Sequence, residues 1–369
     1  MKILITGVCG FVGSELAHAL LDHCPDLKIC GIDNLSRNGS WLNRENLTAR
    51  GVIVIHGDIR NAGDLEAIGP FDWVIDAAAN PSVLAGVDGK SSSRQLVENN
   101  LGGTINLLEA CKSWAAGFIL LSTSRVYSIP ALAALDVEVH DRAYRPVLSK
   151  DESSSLKPTA ISGHGITEEF STAPPVSLYG STKLTSEALA VEYGMTFDFP
   201  VWINRCGVMA GARQFGKPDQ GIFAFWLHSW REGRPLKYIG FDGLGHQVRD
   251  CLHPRDLASL IVPQMATGTD STKPSIVNLS GGLKSSMSLR QLSDWCKDRF
   301  PNSSTAATLP PASDAITPEV RPFDLPWVVL DHTMASNTWN WQPQTPVETI
   351  LEEIAEFADR HEDWITTSA

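Results

Sequence analysis

The sequence predicts an α/β fold: a doubly wound parallel sheet followed by a smaller C-terminal α/β domain. Three observations predict it. Short apolar runs alternate with stretches of helical period through the first half of the chain. Those runs are continuously apolar, as strands buried on both faces require. Glycine and proline become frequent only from Gly207 onward, where the alternation gives way to helices set among irregular stretches.

The apolar runs fall at residues 2–6, 28–32, 52–55, 73–75, 118–121 and 200–203. Helical patterns occupy residues 12–21, 96–114 and 178–193 between them, a βαβ rhythm that specifies a parallel sheet with helices on both faces. In the second half, helices are expected at 220–231 and 289–299. A chain of 369 residues is long for one hydrophobic core, which implies two lobes. The expected division places residues 1–205 in the first domain, with 248–280 returning to it, and residues 206–247 and 281–369 in the second. Residues 129–175, rich in Ser, Pro and charge, read as a long loop or insertion over the site; segments of that length are usually functional or disordered.

Composition narrows the partners. The net charge of −12 argues against nucleic acid or an anionic membrane surface as the main partner. The seven cysteines are scattered with no C-x-x-C pair, so neither a disulfide framework nor a metal site is expected, and a reducing cytoplasm fits. Met1-Lys2 runs directly into Ile3-Leu4-Ile5, too short for the core of a signal peptide, and no apolar run approaches the roughly 20 residues that span a bilayer.

The first strand is followed by Gly7-Val8-Cys9-Gly10-Phe11-Val12-Gly13. Gly7 permits the tight turn, Gly10 lets backbone approach a pyrophosphate, and Gly13 lets the next helix pack against the strand. The N–H groups opening that helix, at Phe11 and Val12, meet the phosphates. Asp33 ends the second strand, 20 residues beyond Gly13, where a carboxylate accepts the adenosine ribose hydroxyls. This is a Rossmann-type signature. A carboxylate there repels a 2′-phosphate and favours NAD, although Arg37 keeps NADP open as an alternative. Asn34 and Ser36 flank the same site. Asp58-Ile59 and Ala77-Ala78-Ala79 end the third and fourth strands, where ligands of open α/β sheets bind.

Of the five tyrosines, only Tyr179 has a lysine four residues on, Lys183, on the same helix face. A free phenol, with a pKa near 10, is a poor base at neutral pH. A neighbouring ammonium and a positively charged nicotinamide stabilise the phenolate. Tyr179 can then take a proton from a sugar hydroxyl as the carbon loses hydride. The fifth strand ends in Ser122-Thr123-Ser124-Arg125, and the hydroxyl of Thr123 or Ser124 can share the same substrate oxygen.

Together with Asn100-Leu101-Gly102-Gly103-Thr104 and Arg249-Asp250, these motifs resemble the extended short-chain dehydrogenase/reductase family of nucleotide-sugar enzymes, from Met1 to about Trp364. The resemblance implies an N-terminal NAD domain, a smaller C-terminal sugar-nucleotide domain and a homodimer joined through helices. It gives Thr123 the place of the family's catalytic Ser/Thr and sets Asn100 and Cys206 beside the cofactor. The stretches 33–37, 56–61, Arg213-Gln214-Phe215 with Asp219-Gln220-Gly221, and 245–250 are most similar to the family's CDP-sugar 2-epimerases. Dehydratases and decarboxylases of the family carry acids just after the catalytic threonine. Here Ser124 and Arg125 stand there, neither able to act as a carboxylic acid. Arg213, Gln214 and Gln220 are then expected at the substrate. Arg249 and Arg321 are candidates for its diphosphate, because a planar guanidinium grips phosphate bidentately. The sequence also departs from the family: Asp76 replaces a usual His, Ser128 replaces a Gly after Tyr127, and residues 129–175 differ in length and content. The implied function is an NAD-dependent nucleotide-sugar epimerase. Its rivals are a dehydrogenase or dehydratase on the same scaffold, and a non-catalytic NAD-binding sensor.

Overall fold

Seven parallel strands form the central sheet of the computed structural model, which describes residues 1–87, 89, 92–147, 160–217, 220–307, 320 and 323–368. In chain order they are β1 (Lys2–Thr6), β2 (Lys28–Asp33), β3 (Ile53–His56), β4 (Trp73–Asp76), β5 (Gly117–Thr123), β6 (Val201–Cys206) and β7 (Ile276–Leu279). Their order across the sheet is β7-β6-β5-β4-β1-β2-β3. Side chains alternate across the sheet, so Ile3 and Ile5 enter one core while Leu4 enters the other. Both faces are covered, which is why the strands read as unbroken apolar runs. Register sets Thr6 opposite both Ile32 and Asp76, and Cys206 opposite Thr123. The carboxyl ends of β1, β2, β4, β5 and β6 therefore share one edge of the domain. The strand order reverses between β1 and β4, the position where such sheets form a ligand crevice.

The main helices are α1 (Phe11–His23), α2 (Gly103–Trp114), α3 (Ser177–Phe197), α4 (Ile222–Arg231), α5 (Ala258–Thr267), α6 (Leu289–Arg299) and α7 (Val347–Arg360). In the second lobe, α4 packs against α6 and α7, burying Phe223, Trp226, Leu227 and Trp230 against Ile350, Leu351 and Ile354. A small sheet of Ser286–Ser288, Val248–Asp250 and Trp327–Val328 completes it.

The structure differs from the sequence reading in several places. β7 is a seventh strand and α7 a further helix, neither of which the reading identifies. Val248–Asp250 lies in the small sheet, so the return to the first domain starts after it, with α5 and β7. The helix Thr333–Trp339 also returns: Ala335 and Trp341 are buried in the core that holds α1, and Trp339 meets Trp202 of β6 edge to face at 5.0 Å. The expected 96–114 helix is broken by a wide π-type turn at Glu98–Gly102 between Ser93–Val97 and α2.

Residues 129–175 are more than a loop where they are described; 148–159 lie outside the described residues. A short helix, Ile129–Ala133, precedes an antiparallel hairpin of Val137–His140 with Ala143–Pro146. The hairpin is fastened to the second lobe. The Tyr144 N–H donates to the His246 carbonyl at 2.8 Å, and Arg142 pairs with Asp294 at 2.7 Å. The segment straps the lobes together. Among the described residues, no helix is long and apolar enough to cross a membrane.

Candidate active site

One cavity of about 730 Å³ runs between the lobes along the carboxyl edge of the sheet. At one end lies the glycine loop. Gly7 sits at φ +61°, and a Cβ there would stand 3.0 Å from the Ala78 Cα. A Cβ on Gly13 would stand 2.3 Å from the Gly7 carbonyl oxygen, a backbone clash that no rotamer relieves. Gly10 caps α1 without a side chain, so the first-turn N–H groups have no capping acceptor. Those residues, Phe11, Val12 and Gly13, line the cavity with Gly7 and Gly10. The loop is thus a backbone cradle with the dipole of α1 behind it, which fits a dinucleotide pyrophosphate.

Asp33, Asn34, Ser36, Arg37, Asp58, Ile59, Ala77, Ala78 and Ala79 line the same end. The Asp33 carboxylate accepts from the N–H of Cys9 at 2.9 Å and of Leu35 at 2.8 Å. It is fixed beside the loop, and its burial raises its pKa against those bonds. Asp58 accepts from Asn34 at 3.0 Å and is held at a pKa of about 2, chiefly by its hydrogen bond from Arg60. Thr6 sets the alanine run: its hydroxyl donates to Asp76 at 2.8 Å and accepts from the Ala77 and Ala78 N–H groups. Arg37 lines the cavity, but its guanidinium is engaged across it by Gln220 and the Phe215 carbonyl.

At the middle of the cavity stand Thr123, Ser124, Arg125, Tyr179 and Cys206. α3 comes close enough to present Tyr179 because Gly180 has no Cβ; one would lie 2.3 Å from the Arg125 carbonyl oxygen. The Tyr179 phenol is pushed up to about 12 by burial, while the Thr123 hydroxyl bonded to it and the charge of Arg125 pull it down. Lys183 is buried one turn behind Tyr179 and is absent from the cavity lining. Desolvation lowers its pKa, opposed by the charges of Asp76 and Glu187. Asn100 is also buried outside the lining. It acts through others: its amide joins the Asn80 backbone, at 2.8 and 3.1 Å, to the Thr182 hydroxyl at 3.1 Å. That places the wide turn between β4 and the Tyr179 helix. π-type turns often occur at functional sites.

The second lobe contributes Gln214, Gln220 and Arg249 to the lining. Gln214 donates to the Met209 carbonyl at 2.7 Å. Arg249 is pushed down to about 9 by burial and by the nearby charge of Arg125. The charges of Asp324 and Asp250 oppose that shift, and Arg125, Arg249 and Asp324 line the same cavity. Arg125 also donates to the Phe323 carbonyl at 3.2 Å, tying the end of β5 to the second lobe. Arg213 is not in the lining; its charge lies near Glu15 and His18 of α1. Its backbone takes φ +63°, the left-handed region. Arg321 and Asp219 lie outside the described residues.

Sequence reasoning missed two groups. Gln247, Phe241 and Met287 line the second-lobe end of the cavity. The signal for Gln247 was its spacing: it stands two residues before Arg249, at the entry to the Val248–Asp250 strand. The other group is a buried polar network behind Tyr179. Glu187 on α3 pairs with Arg205 of β6 at 2.7 Å, and Arg205 donates to Tyr127, which donates to Asn278 at 2.7 Å. Tyr179, Lys183 and Glu187 follow at intervals of four on one helix, a legible spacing whose partner residue is not.

The sequence profile of the NAD dependent epimerase/dehydratase family matches residues 3–280. The chain is similar to CDP-paratose 2-epimerase of Salmonella typhi, with 28% identity over 97% of this chain and 99% of the relative. It is similar to UDP-glucuronate 4-epimerase of Thermodesulfobacterium geofontis, with 24% identity over 96% of this chain and 95% of the relative. Among solved structures, UDP-glucuronic acid 4-epimerase from Bacillus cereus, in complex with UDP-glucuronic acid and NAD, superposes with a TM-score of 0.72. That protein is 26% identical, and the match covers 98% of this chain and 99% of the other. The glycine cradle, the fixed Asp33 and the profile match lead to one statement: the chain belongs to the NAD dependent epimerase/dehydratase family, and its cofactor is NAD.

Proposed function

We propose that the protein is a nucleotide-sugar epimerase that inverts C2 of a CDP-activated sugar through a transient 2-keto sugar. The observation that carries this reading is that one cavity holds the glycine loop, the Thr123–Tyr179 pair and the two guanidiniums of Arg125 and Arg249. Tyr179 takes the proton of the sugar hydroxyl, and the Thr123 hydroxyl orients the same oxygen. NAD bound along the glycine loop supplies the hydride acceptor and then the donor. Tyr179 returns the proton when the other face of the ketone is reduced. Arg125 and Arg249 hold the diphosphate while the sugar turns.

Elimination needs a carboxylic acid beside the sugar. Among the described residues, the acids that line the cavity are Asp33, Asp58 and Asp324. The first two belong to the dinucleotide end, and Asp324 acts on Arg249. Position C2 and the CDP group draw support from the Ser124-Arg125 pair, the 213–220 segment and the likeness to CDP-paratose 2-epimerase along almost the whole of both chains. A second reading, inversion at C4, draws support from the likeness to UDP-glucuronate 4-epimerases.

A substrate deuterated at C2 decides between them. The expected product is inverted at C2 and retains its deuterium there, with none taken up from solvent. Exchange with solvent at C2 rejects hydride transfer, and inversion at C4 rejects the 2-epimerase assignment.

We also infer a homodimer joined through α2 and α3. Their outer faces leave Ile105, Leu178, Met195 and Phe197 exposed, with Met195 at 80%. Light scattering is expected to give twice the chain mass of 40.1 kDa; a monomer at micromolar concentration rejects the assembly.

A further inference from the structure

The loop after β2 meets residues 213–217 and 220–221 of the second lobe across the cavity, next to the end that holds Asp33. Arg37 is the centre of the contact. Its guanidinium donates to the Phe215 carbonyl and, at 3.3 Å, to Gln220 Oε1, and it lies 5.9 Å from the Phe215 ring centroid. Gly39, at φ +84°, lets the loop close on that ring; a Cβ there would stand 2.9 Å from it. Arg37, Phe215 and Gln220 all line the cavity.

The far side of Phe215 is braced. Trp364 stacks on its ring, with centroids 5.4 Å apart and planes at 19°, and donates its indole N–H to the Gln214 carbonyl at 2.9 Å. Phe357 of α7 meets Trp364 edge to face at 4.9 Å, so the brace is anchored in the second lobe. Trp364 is buried and does not line the cavity.

We propose that Arg37, Phe215 and Trp364 form a clasp between the lobes that keeps the cofactor in place through successive turnovers. A dinucleotide lying along the glycine loop with its ribose at Asp33 leaves the cleft only when the lobes part at this contact. Release is then governed by the clasp as well as by the contacts of the cofactor itself, as with other closures that gate ligand exit. The Phe215 carbonyl and ring present Arg37 with an acceptor and a face in one geometry. Trp364 fixes both by holding the backbone at Gln214 and the ring of Phe215. Retention matters most for a reaction that returns every hydride it removes, so the purpose of the clasp rests on the proposed epimerase reading. Its existence does not.

The test is the rate of cofactor release from the full chain. Protein loaded with NADH is mixed with excess NAD, and the loss of bound-NADH fluorescence is followed. Arg37→Ala and Trp364→Ala are each expected to release NADH at least tenfold faster than the parent, with circular dichroism unchanged. Acceleration in Arg37→Ala alone makes Arg37 a direct cofactor ligand and overturns the clasp. Parent-like release from both variants overturns it as well. If Trp364→Ala does not fold, Trp364→Phe replaces it: the variant keeps a ring but loses the N–H donated to Gln214. Release at least threefold faster is expected from it, and the parent rate overturns the clasp. No sugar nucleotide enters the measurement, so its outcome and that of the C2 label experiment are independent.

Discussion

Tyr179→Phe is expected to fold, to bind NAD and to lose at least about 100-fold in turnover, the scale of a lost general acid/base. The substitution removes one oxygen from a site where the ring is buried, so packing is retained. What disappears is the group proposed to exchange a proton with the sugar. Burial outweighs the Thr123 hydrogen bond and the Arg125 charge and holds that phenol near 12, a weak base at neutral pH. A positively charged nicotinamide bound beside it would stabilise the phenolate further. Lys183 lies one turn away on the same helix face. Lys183 is itself desolvated, which lowers its pKa, and the charges of the buried carboxylates Asp76 and Glu187 oppose that shift. The measurements are steady-state turnover with a CDP-sugar and a cofactor titration on the same preparation. Turnover within threefold of the parent removes Tyr179 from the mechanism. Loss of NAD binding assigns it to the cofactor site instead.

Glu187→Ala is expected to destabilise the protein by about 3–5 kcal/mol, the cost of leaving one member of a buried ion pair without its partner. The side chains of Arg205 and Glu187 are 7% and 3% exposed. Arg205 Nε also donates to Glu187 Oε1 at 3.1 Å and to Oε2 at 3.2 Å, and Ser122 donates to Oε1. Removing the carboxylate strands the guanidinium between α3, β5 and β6, directly behind Thr123 and Tyr179. For a protein with a typical stability of roughly 5–15 kcal/mol, this is a large share. Changing both residues to Met replaces the pair with apolar volume and is expected to recover most of the loss. Equilibrium urea unfolding measures both. A shift below about 1 kcal/mol for Glu187→Ala shows that Arg205 finds water or another acceptor, and that the network is not what fixes α3 against the sheet.

The dinucleotide half of the site was legible in the sequence because each of its parts is local. The turn at Gly7, the close packing at Gly13 and the carboxylate at Asp33 follow from a single βαβ unit, so spacing along the chain determines position in space. The Tyr179–Lys183 pair was legible for the same reason, since helical period puts both residues on one face. Its geometry was less so: Lys183 lies behind the cavity wall, and Asn100 reaches the site only through Asn80 and Thr182.

The second lobe resisted this reading. Its strands are only two or three residues long, and their partners come from distant parts of the chain: Val248 pairs with both Ser288 and Trp327. No periodic signal survives at that length, so neither the small sheet nor the return of Thr333–Trp339 to the first core could be read from local pattern. Arg37 shows the limit most plainly. Its position four residues after Asp33 kept a phosphate on the ribose open as an alternative, whereas the folded chain engages its guanidinium with Phe215 and Gln220. By itself the sequence determined the doubly wound parallel architecture, the cofactor and the placing of Tyr179 and Lys183 on one helix face, because backbone sterics and helical period act over a few residues. Only the tertiary structure decided the partner of each guanidinium, Arg37 with Phe215, Arg205 with Glu187 and Arg125 with Phe323, because a long flexible cation is placed by whichever acceptor the other lobe or strand brings within reach.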